Sequence, residues 1–449
     1  MTVVPKPAWL IFLASFVVYQ ANLRPVASLD SLPAALLPFS ILLDGSLHLD
    51  RFAPYLMHGQ PRTPYCLHEK NGHYYSTYSI AQPLLLTPLY VPVCAALSPA
   101  SWEPGDLILL ARMLEKLIAG TLAAASAAVF FVLLDGITSR RNALLLTAAY
   151  AFGTTTWAIS SQALWQHSGG GLLIVLALLA LQHWAADEQS PKFLLLAGLW
   201  SGLAVAVRPT DGLLACAIVI ALLIKRTKIR LLGVFALPVI VCGCLTAAWN
   251  LWLFQDVRGY SAGAAGAQFL AGLTGILFSP GRGLLVYCPF LIFAAAGAVA
   301  WGKSLLLSVS AMFCLAHLAL VSIVPEWWGG ACWGPRLLTE MMPFLILLML
   351  PAFDAVITSV WLRSVFACLL LYSVFVQFVG AFCYPNGRWD STPPSANFSE
   401  RVWNRTDNPI RRTIRAGLFL TPHEIVLEGA LHGKAAAVRK MREMGMKGF

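Results

Sequence analysis

Long apolar segments separated by short polar breaks dominate the pattern of this chain. From Trp9 to Gly380 these segments recur at close to the ~20 residues that a helix needs to cross a bilayer. They predict about eleven membrane-spanning helices, over residues 8–23, 107–134, 143–162, 169–186, 193–207, 212–224, 231–253, 284–300, 304–324, 337–353 and 357–380. The expected fold class is therefore an all-α polytopic membrane protein.

One further apolar stretch, residues 80–97, contains three prolines and is predicted to be an interfacial or re-entrant helix. The basic residues test this choice, because cytoplasmic connections carry the excess of Lys and Arg. If the stretch does not cross, the short basic connections all fall on the side of the N-terminus: Arg140–Arg141, Lys192, 225–230, Lys303 and Arg363. The pattern then predicts a cytoplasmic N-terminus and places the first loop (24–106) and the C-terminal tail (384–449) outside.

Composition excludes an ordinary soluble protein. The 449 residues are 58% hydrophobic and 12% charged, whereas soluble domains carry roughly 25% charged residues, and the mean hydropathy is +0.71. One transmembrane domain (1–383) and a basic tail are expected, with no separate large soluble domain. The net charge of +10 is assigned to membrane sidedness and not to nucleic acid. The ten cysteines form no CxxC pair and are predicted to be free thiols.

The first outer loop offers a candidate catalytic carboxylate. Asp30 follows the first span directly, where apolar surroundings are expected to raise its pKa and to suit it to act as a base. A role as a helix cap is the alternative. Asp44, before Gly45, is predicted to be a turn residue, and Asp50 is predicted to pair with Arg51.

Four histidines share this loop: His48, His58, His68 and His73. Their spacing matches no standard metal motif, so they are predicted to be solvated or hydrogen-bonded, and no metal site is assigned.

The later outer segments contribute arginines and tryptophans. Arg282 stands between glycines in Ser-Pro-Gly-Arg-Gly (279–283), where backbone N–H groups and the guanidinium suit an anionic oxygen. Arg336 ends the segment 327–336, which contains three tryptophans. Interfacial Trp and Arg are also common as membrane anchors. Further ionisable residues stand at or inside span ends, where such groups tend to line polar cavities: Glu115, Arg208, Asp211, Glu326 and Glu340.

Several short strings, taken in order, resemble the GT-C superfamily of membrane glycosyltransferases. They are Ser-Leu-Asp-Ser-Leu-Pro (28–33), Gly-Thr-Thr-Thr-Trp (153–157), Leu-Trp-Gln-His (164–167), Arg-Pro-Thr-Asp (208–211), Ser-Pro-Gly-Arg-Gly-Leu-Leu (279–285) and the segment 327–336. The resemblance covers roughly residues 8–350 and points to a bacterial branch of unassigned acceptor. One departure is Tyr-Ser-Ile-Ala (78–81), where that branch often has Tyr-Pro-Pro-Gly.

The resemblance implies a first span, a long outer loop with interfacial helices, and about ten further spans. It also implies an inverting hexosyl or pentosyl transfer in the bacterial inner membrane, from a polyprenyl-phosphate sugar to a lipid, glycan or protein acceptor. Asp30 is the expected base, and Arg336, Arg282 and Arg208 are the expected ligands of the donor phosphate.

The expected substrate pocket is lined by Trp165, His167, Trp328, Trp333, Asp211 and Glu326. His167 is expected to be a wall residue more than a second base. No cofactor is expected, although a divalent metal stays open, as does a second acid among Asp44, Asp50 and Glu69.

Two rival functions stay open on sequence grounds. A lipid-linked-sugar flippase needs polar residues through the bilayer thickness, whereas the middles of these spans are rich in Leu and Ala. A ligase that moves a glycan from a polyprenyl-diphosphate also uses outer arginines. In the tail, a terminal helix is predicted near 422–444, and the basic segment is expected either to lie on anionic lipid or to be solvated.

Overall fold

The computed structural model describes residues 5–22, 24, 26, 28–59, 62–187, 190–260, 269–392, 397–418, 428–429 and 431–443. Within them the chain is mostly helical. The α-helices are α1 (Lys6–Gln20), α2 (Leu32–Phe39), α3 (Ala53–Met57), α4 (Ala81–Leu97), α5 (Pro104–Asp135), α6 (Arg140–Gly153), α7 (Gln166–Ala186), α8 (Pro191–Val207), α9 (Gly212–Ile224), α10 (Ile229–Phe254), α11 (Phe269–Phe278), α12 (Leu284–Tyr287), α13 (Ala295–Val299), α14 (Leu305–Ser322), α15 (Met342–Thr358), α16 (Val360–Cys383), α17 (Phe398–Arg401), α18 (Pro409–Ala416) and α19 (Lys434–Glu443).

Six helical segments in the described part of the chain are long and apolar enough to cross a membrane: α5, α7, α10, α14, Arg336–Thr358 and α16. Each overlaps a predicted span, so the chain is a mostly helical membrane protein. The predicted total of about eleven spans and their orientation stay predictions. All ten cysteines are free, as predicted.

Two contacts join helix ends that lie beside connections predicted to be cytoplasmic. Asn142, at the start of α6, donates a hydrogen bond to Asp354 near the end of α15 (2.8 Å). Lys225, after α9, lies 5.8 Å from the ring centroid of Trp184 near the end of α7. The alternation of the predicted spans therefore brings these helix ends together in space.

Two predicted spans are not continuous helices. In span 143–162, the α-helix ends at Gly153 and a π-helical turn follows over Thr156–Ser160. In span 284–300, α12 ends at Tyr287 because Pro289 lacks an N–H group and disfavours helical geometry in the residue before it. Irregular backbone at membrane depth needs burial in protein, and Thr154, Thr155 and Cys288 at the two breaks are buried.

The first loop also contains a short β-hairpin within the otherwise helical fold, which the sequence interpretation did not predict. Strands β1 (Leu67–Lys70) and β2 (His73–Ser76) pair antiparallel. Asn71 and Gly72 join them with φ of 53° and 81°, as a two-residue hairpin turn requires. Asn-Gly between two short strands is a sequence signal for a hairpin turn. An interpretation based on long apolar segments does not detect this signal.

The remainder of the first loop is helical and builds a small core of its own. Helix α2 packs on α4 and on the first half of α5, and α3 joins the same core, with Leu36, Phe52, Tyr90 and Leu107 among the buried residues. The helical part of the loop prediction is thus confirmed, and its interfacial position stays a prediction.

Helix α4 packs against α2 and α8. Gln82 donates to the Leu164 carbonyl (2.8 Å), and the Leu164 N–H donates to Glu115 (3.1 Å), so α4 begins level with Glu115. It ends just before Pro104, where α5 starts. With 17 residues, α4 is about 25 Å long at 1.5 Å per residue, which is shorter than the ~30 Å hydrocarbon core. That 80–97 does not cross the bilayer stays a prediction.

The tail folds back onto the helical domain. Trp389 is 2% exposed, and its indole N–H donates to the Asp407 carbonyl (2.9 Å). The Gly281 N–H donates to the carbonyl of Val402, which is fully buried (2.8 Å). Trp389 and Val402 thus fix the described residues of the tail before α18 to the helical domain. Part of the predicted terminal helix is present as α19, while 422–427, 430 and 444 lie outside the described residues.

Close contact between α8 and α10 depends on two glycines one turn apart. A Cβ at Gly198 would lie 2.2 Å from the Phe235 carbonyl oxygen, and a Cβ at Gly202 would lie 2.8 Å from the Pro238 carbonyl oxygen. Small residues at this spacing let membrane helices approach backbone to backbone.

Replacing Gly198 by Ala is therefore expected to force the helix pair apart. Overpacking of this kind costs about 1–3 kcal/mol, which should lower the thermal midpoint of the protein in detergent. Gly233→Ala on α10 is the matched control, because its new methyl group meets open space. Equal midpoints for the two variants would contradict the close-contact interpretation.

Candidate functional site

A cavity of about 980 Å³ lies where the first loop, the segment 324–337 and the start of the tail meet. Its volume is at the upper end of the roughly 300–1,000 Å³ that is typical of small-molecule sites. Its wall combines charged, aromatic and apolar side chains: Asp30, Glu326, Arg336, Arg388 and Asp390; Tyr65, Tyr78, Trp165 and Tyr384; Val26, Leu29, Val324 and Leu337.

Asp30 and Arg336 face each other in this wall. Their side chains form an ion pair with 2.5 Å between Arg336 Nη1 and Asp30 Oδ2, and both are largely buried. The Tyr65 hydroxyl donates to the other carboxylate oxygen (2.6 Å). The carboxylate behind the first helix and a guanidinium from a distant segment thus share one cavity, as the sequence predicted.

The pKa of the Asp30 carboxyl is lowered, which corrects the predicted increase. Burial raises this pKa, but the Arg336 guanidinium and hydrogen bonds from Tyr65, Arg336 and Tyr78 outweigh burial. Burial and the Asp30 charge raise the pKa of both phenols, so Tyr65 and Tyr78 remain protonated donors. Asp30 is therefore ionised at neutral pH, and its basicity is suppressed while Arg336 is bound to it.

A buried ion pair on α5 fixes the segment that carries Asp30. Arg112 and Glu115 are paired (2.8 Å), and Arg112 also donates to the Ser28 carbonyl (2.9 Å). Glu115 accepts the backbone N–H of the residue before Trp165 (3.1 Å), while the Trp165 indole N–H donates to the Ser28 hydroxyl (3.2 Å). The pair therefore sets Asp30 and Trp165 in position relative to each other.

Two consecutive glycines direct their carbonyls at two different arginines. Gly329 and Gly330 have φ of 77° and 70°, a region that glycine adopts without strain. The Gly329 carbonyl accepts a hydrogen bond from Arg336 (2.8 Å), and the Gly330 carbonyl accepts one from Arg282 (3.1 Å). Arg336 also lies over Trp165, 5.5 Å from the ring centroid. The turn thereby orients the Arg336 guanidinium toward Asp30.

Arg282 lies behind the cavity wall and not in it. Its side chain is fully buried, forms an ion pair with Asp390, and packs over the rings of Trp389 and Phe398. Burial lowers the pKa of this guanidinium, but the Asp390 carboxylate raises it above its ordinary value, so the charge persists. The structure therefore places Arg282 where it supports Asp390, not where the predicted donor phosphate would bind.

Arg282→Met is expected to destabilise the fold, because it leaves the Asp390 carboxylate largely buried without its partner. Breaking a buried ion pair costs about 3–5 kcal/mol. A lower thermal midpoint and faster proteolysis of the tail are the expected results. Arg258→Met is the control, since Arg258 pairs with Asp256 at an exposed position where such pairs contribute little. If the thermal midpoint of Arg282→Met equals that of wild type, the Arg282–Asp390 ion pair does not stabilise the fold.

Arg208, His167 and Asp211 belong to a second buried polar cluster outside the cavity wall. Arg208 forms an ion pair with Glu340, and His167 Nδ1 lies 2.6 Å from Glu340 Oε1. Asp211 is fully buried, and neither of its carboxylate oxygens has a hydrogen-bond partner in the described part of the chain. Glu340 follows Arg336 by one helical turn, so this cluster supports the segment that presents Arg336.

The predicted tryptophans separate into two groups. Trp165 lines the cavity, as does the predicted pocket residue Glu326. Trp328 instead packs on Phe398 (5.7 Å between centroids), and Trp333 is buried against Tyr287 (5.4 Å). The two latter rings stabilise the scaffold around Arg336 and do not line the cavity.

The sequence interpretation missed seven polar wall residues: Tyr65, Tyr78, Tyr384, Asn386, Arg388, Asp390 and Ser391. Tyr65 and Tyr78 flank the hairpin, and the other five follow the last span. Apart from Tyr78, which begins the segment 78–81, none of them belongs to the strings that suggested chemistry, so their place in the fold identifies them.

The residues that were left open as a second acid have other partners. Asp44 pairs with Arg51, and Asp50 lies against two histidines. Glu69 is a strand residue opposite Tyr74. Besides Asp30, the carboxylates in the cavity wall are Glu326 and Asp390.

Comparison of the chain with models of protein families, with characterised proteins and with solved structures finds no match. Its chemistry is therefore argued from the cavity itself.

Proposed function

We propose that this protein is a membrane glycosyltransferase that moves a sugar from a polyprenyl-phosphate donor to an acceptor hydroxyl in the Asp30 cavity. The observation that carries the proposal is the Asp30–Arg336 pair in the wall of a cavity of about 980 Å³. A carboxylate and a guanidinium at this distance suit a reaction in which one group accepts a proton while the other stabilises an anion.

In the proposed step, an acceptor oxygen forms a bond to the anomeric carbon while its proton passes to Asp30. The bond between that carbon and the phosphate oxygen breaks, and the electron pair stays on the polyprenyl phosphate. Arg336 stabilises the departing phosphate, which gains charge in the transition state. Inversion at the anomeric carbon follows because attack and departure take place on opposite faces of the sugar.

The Asp30–Arg336 ion pair implies that the donor binds before Asp30 becomes an effective base. The donor phosphate competes with Asp30 for Arg336, and the loss of that cation raises the basicity of Asp30. Donor binding thus prepares the base. Arg388, which is exposed in the same wall, is positioned to contribute a second cation to the phosphate.

The walls also suit the rest of the donor. Tyr65, Tyr78 and Trp165 offer aromatic surface and hydrogen-bond donors to a sugar. Val26 and Leu29 offer apolar surface to the first carbons of the lipid chain. Trp165 takes the stacking role that was predicted for three tryptophans.

The test uses the purified protein in liposomes with radiolabelled polyprenyl-phosphate hexoses and pentoses and a total membrane extract as acceptor. Release of polyprenyl phosphate together with transfer of the label supports the proposal. Movement of intact donor across the bilayer without cleavage would instead identify a flippase. Turnover of a polyprenyl-diphosphate glycan, but not of the monophosphate sugar, would identify a ligase.

A further inference from the structure

Three side chains of the first loop converge outside the Asp30 cavity. Nδ1 of His48 and Nδ1 of His73 lie 3.0 Å and 2.6 Å from the same carboxylate oxygen of Asp50. The two imidazole rings are stacked, with centroids 4.5 Å apart. Their potential ligand atoms all lie within 4.8 Å of one another.

We propose that His48, Asp50 and His73 bind a divalent transition-metal ion, with Zn²⁺ as the best fit. Two imidazole nitrogens and one carboxylate oxygen form a ligand set that zinc prefers. Mg²⁺ and Ca²⁺ prefer sites made of oxygen ligands. The three side chains are 28%, 33% and 48% exposed, which leaves room for a water molecule as the fourth ligand.

The backbone holds these ligands in position. The Leu49 N–H donates to the Tyr74 carbonyl (2.6 Å), and the Tyr74 N–H donates to Asp50 Oδ1 (2.8 Å). These bonds join the segment before α3 to β2. They also occupy Oδ1, so that Oδ2 is the oxygen presented to both histidines. Support of a ligand by a second hydrogen bond of this kind is typical of metal sites.

Only small movements convert the triad into a coordination site. Bonds of about 2.0–2.2 Å to a tetrahedral zinc ion separate its ligand atoms by about 3.3 Å. The present nitrogen–oxygen distances of 2.6 Å and 3.0 Å therefore need to lengthen by about 0.7 Å and 0.3 Å. Side chains with this exposure can move that far without disturbing the core.

The ion would act as a structural clamp and not as a catalyst. Tyr78 lies two residues beyond β2 and five residues from His73, or about 16 Å of extended chain. None of the three proposed ligands lines the Asp30 cavity. Metal binding fixes the turn end of the hairpin to the start of α3, while Tyr65 and Tyr78 extend from the other end of the hairpin into the cavity.

The test measures metal content in protein that carries an affinity tag without histidine. The purified protein is stripped with a chelator, equilibrated with buffered Zn²⁺ and analysed by elemental mass spectrometry. Wild type is expected to bind one more zinc ion per chain than His48→Gln, His73→Gln or Asp50→Asn. His58→Gln and His68→Gln are the matched controls, because both histidines belong to the same loop but lie outside the triad. They should retain the wild-type content.

Cobalt absorption and the effect of zinc on stability provide two further tests of the site. Co²⁺ should give a visible absorption band of a four-coordinate site in wild type that is absent in His73→Gln. Zn²⁺ should raise the thermal midpoint of wild type and protect residues 62–80 from proteolysis. Equal zinc content in wild type and a folded His73→Gln variant would overturn the proposal. If that variant does not fold, a wild-type midpoint that does not respond to zinc would overturn it as well.

Discussion

Asp30→Asn is expected to lower the rate of sugar transfer by about 10²–10⁴-fold, the range typical of loss of a general base. Asparagine keeps the size of the side chain and can still accept the hydrogen bond from Tyr65, but it cannot take the acceptor proton. The measurement is the rate of label transfer from a polyprenyl-phosphate sugar at saturating donor. Donor binding should persist, because Arg336 is then free of its competing carboxylate.

Asp44→Asn is the matched control for this experiment. Asp44 is also a loop carboxylate paired with an arginine, Arg51, but it lies outside the cavity wall. Its loss should leave transfer within about twofold of wild type, as expected for a partly exposed ion pair. Full turnover by a folded Asp30→Asn variant would remove Asp30 from the mechanism.

The predicted membrane side of Asp30 and Arg336, together with their positions next to predicted spans, indicated that the two residues could meet. Asp30 follows the first span, Arg336 precedes a later one, and the positive-inside rule puts both on one side of the membrane. Two residues at the same ends of packed helices have a reasonable chance of meeting. The sequence therefore predicted that the two residues share one side of the membrane, while their ion pair was seen only in the structure.

The roles of the other arginines could not be predicted in the same way. Arg282 follows Gly281, Arg208 precedes Pro209 and Arg336 follows Pro335. Each arginine thus stands next to a glycine or a proline at a span end, so their local patterns look alike. What separates them is which carboxylate lies nearby: Asp390 for Arg282, Glu340 for Arg208 and Asp30 for Arg336. Such partners are set by tertiary packing, which local sequence patterns do not specify.

The tail and the hairpin show two different kinds of missed prediction. Asn71-Gly72 was a local turn signal, and an interpretation based on long apolar segments passes over it. The return of Arg388 and Asp390 to the cavity depends on Trp389 and Val402 packing onto distant segments. No local signal predicts that return, because the tail is polar and basic in composition.

Arg336→Met is expected to lower transfer by about 10²–10³-fold, the loss typical when one donor to a developing anion is removed. The charge that grows on the polyprenyl phosphate then lacks its main cation in the cavity wall. Arg336→Lys should lose less activity, because the ammonium group keeps the positive charge. It should still lose some, because lysine cannot also donate the hydrogen bond to the Gly329 carbonyl. Both variants are assayed with the same labelled donor, and Arg258→Met is the control for loss of an exposed arginine.

The pH dependence of the residual activity tests whether Arg336 controls Asp30. In the free protein the Arg336 guanidinium lowers the Asp30 pKa, so its removal must raise that pKa. The acidic limb of kcat/KM, which reports the ionisation of the base in the free enzyme, should therefore move to higher pH in Arg336→Met. In Arg336→Lys the positive charge remains, and the limb should move less. A limb that stays at the wild-type pH in a folded Arg336→Met variant would show that the observed base is not the carboxylate paired with Arg336.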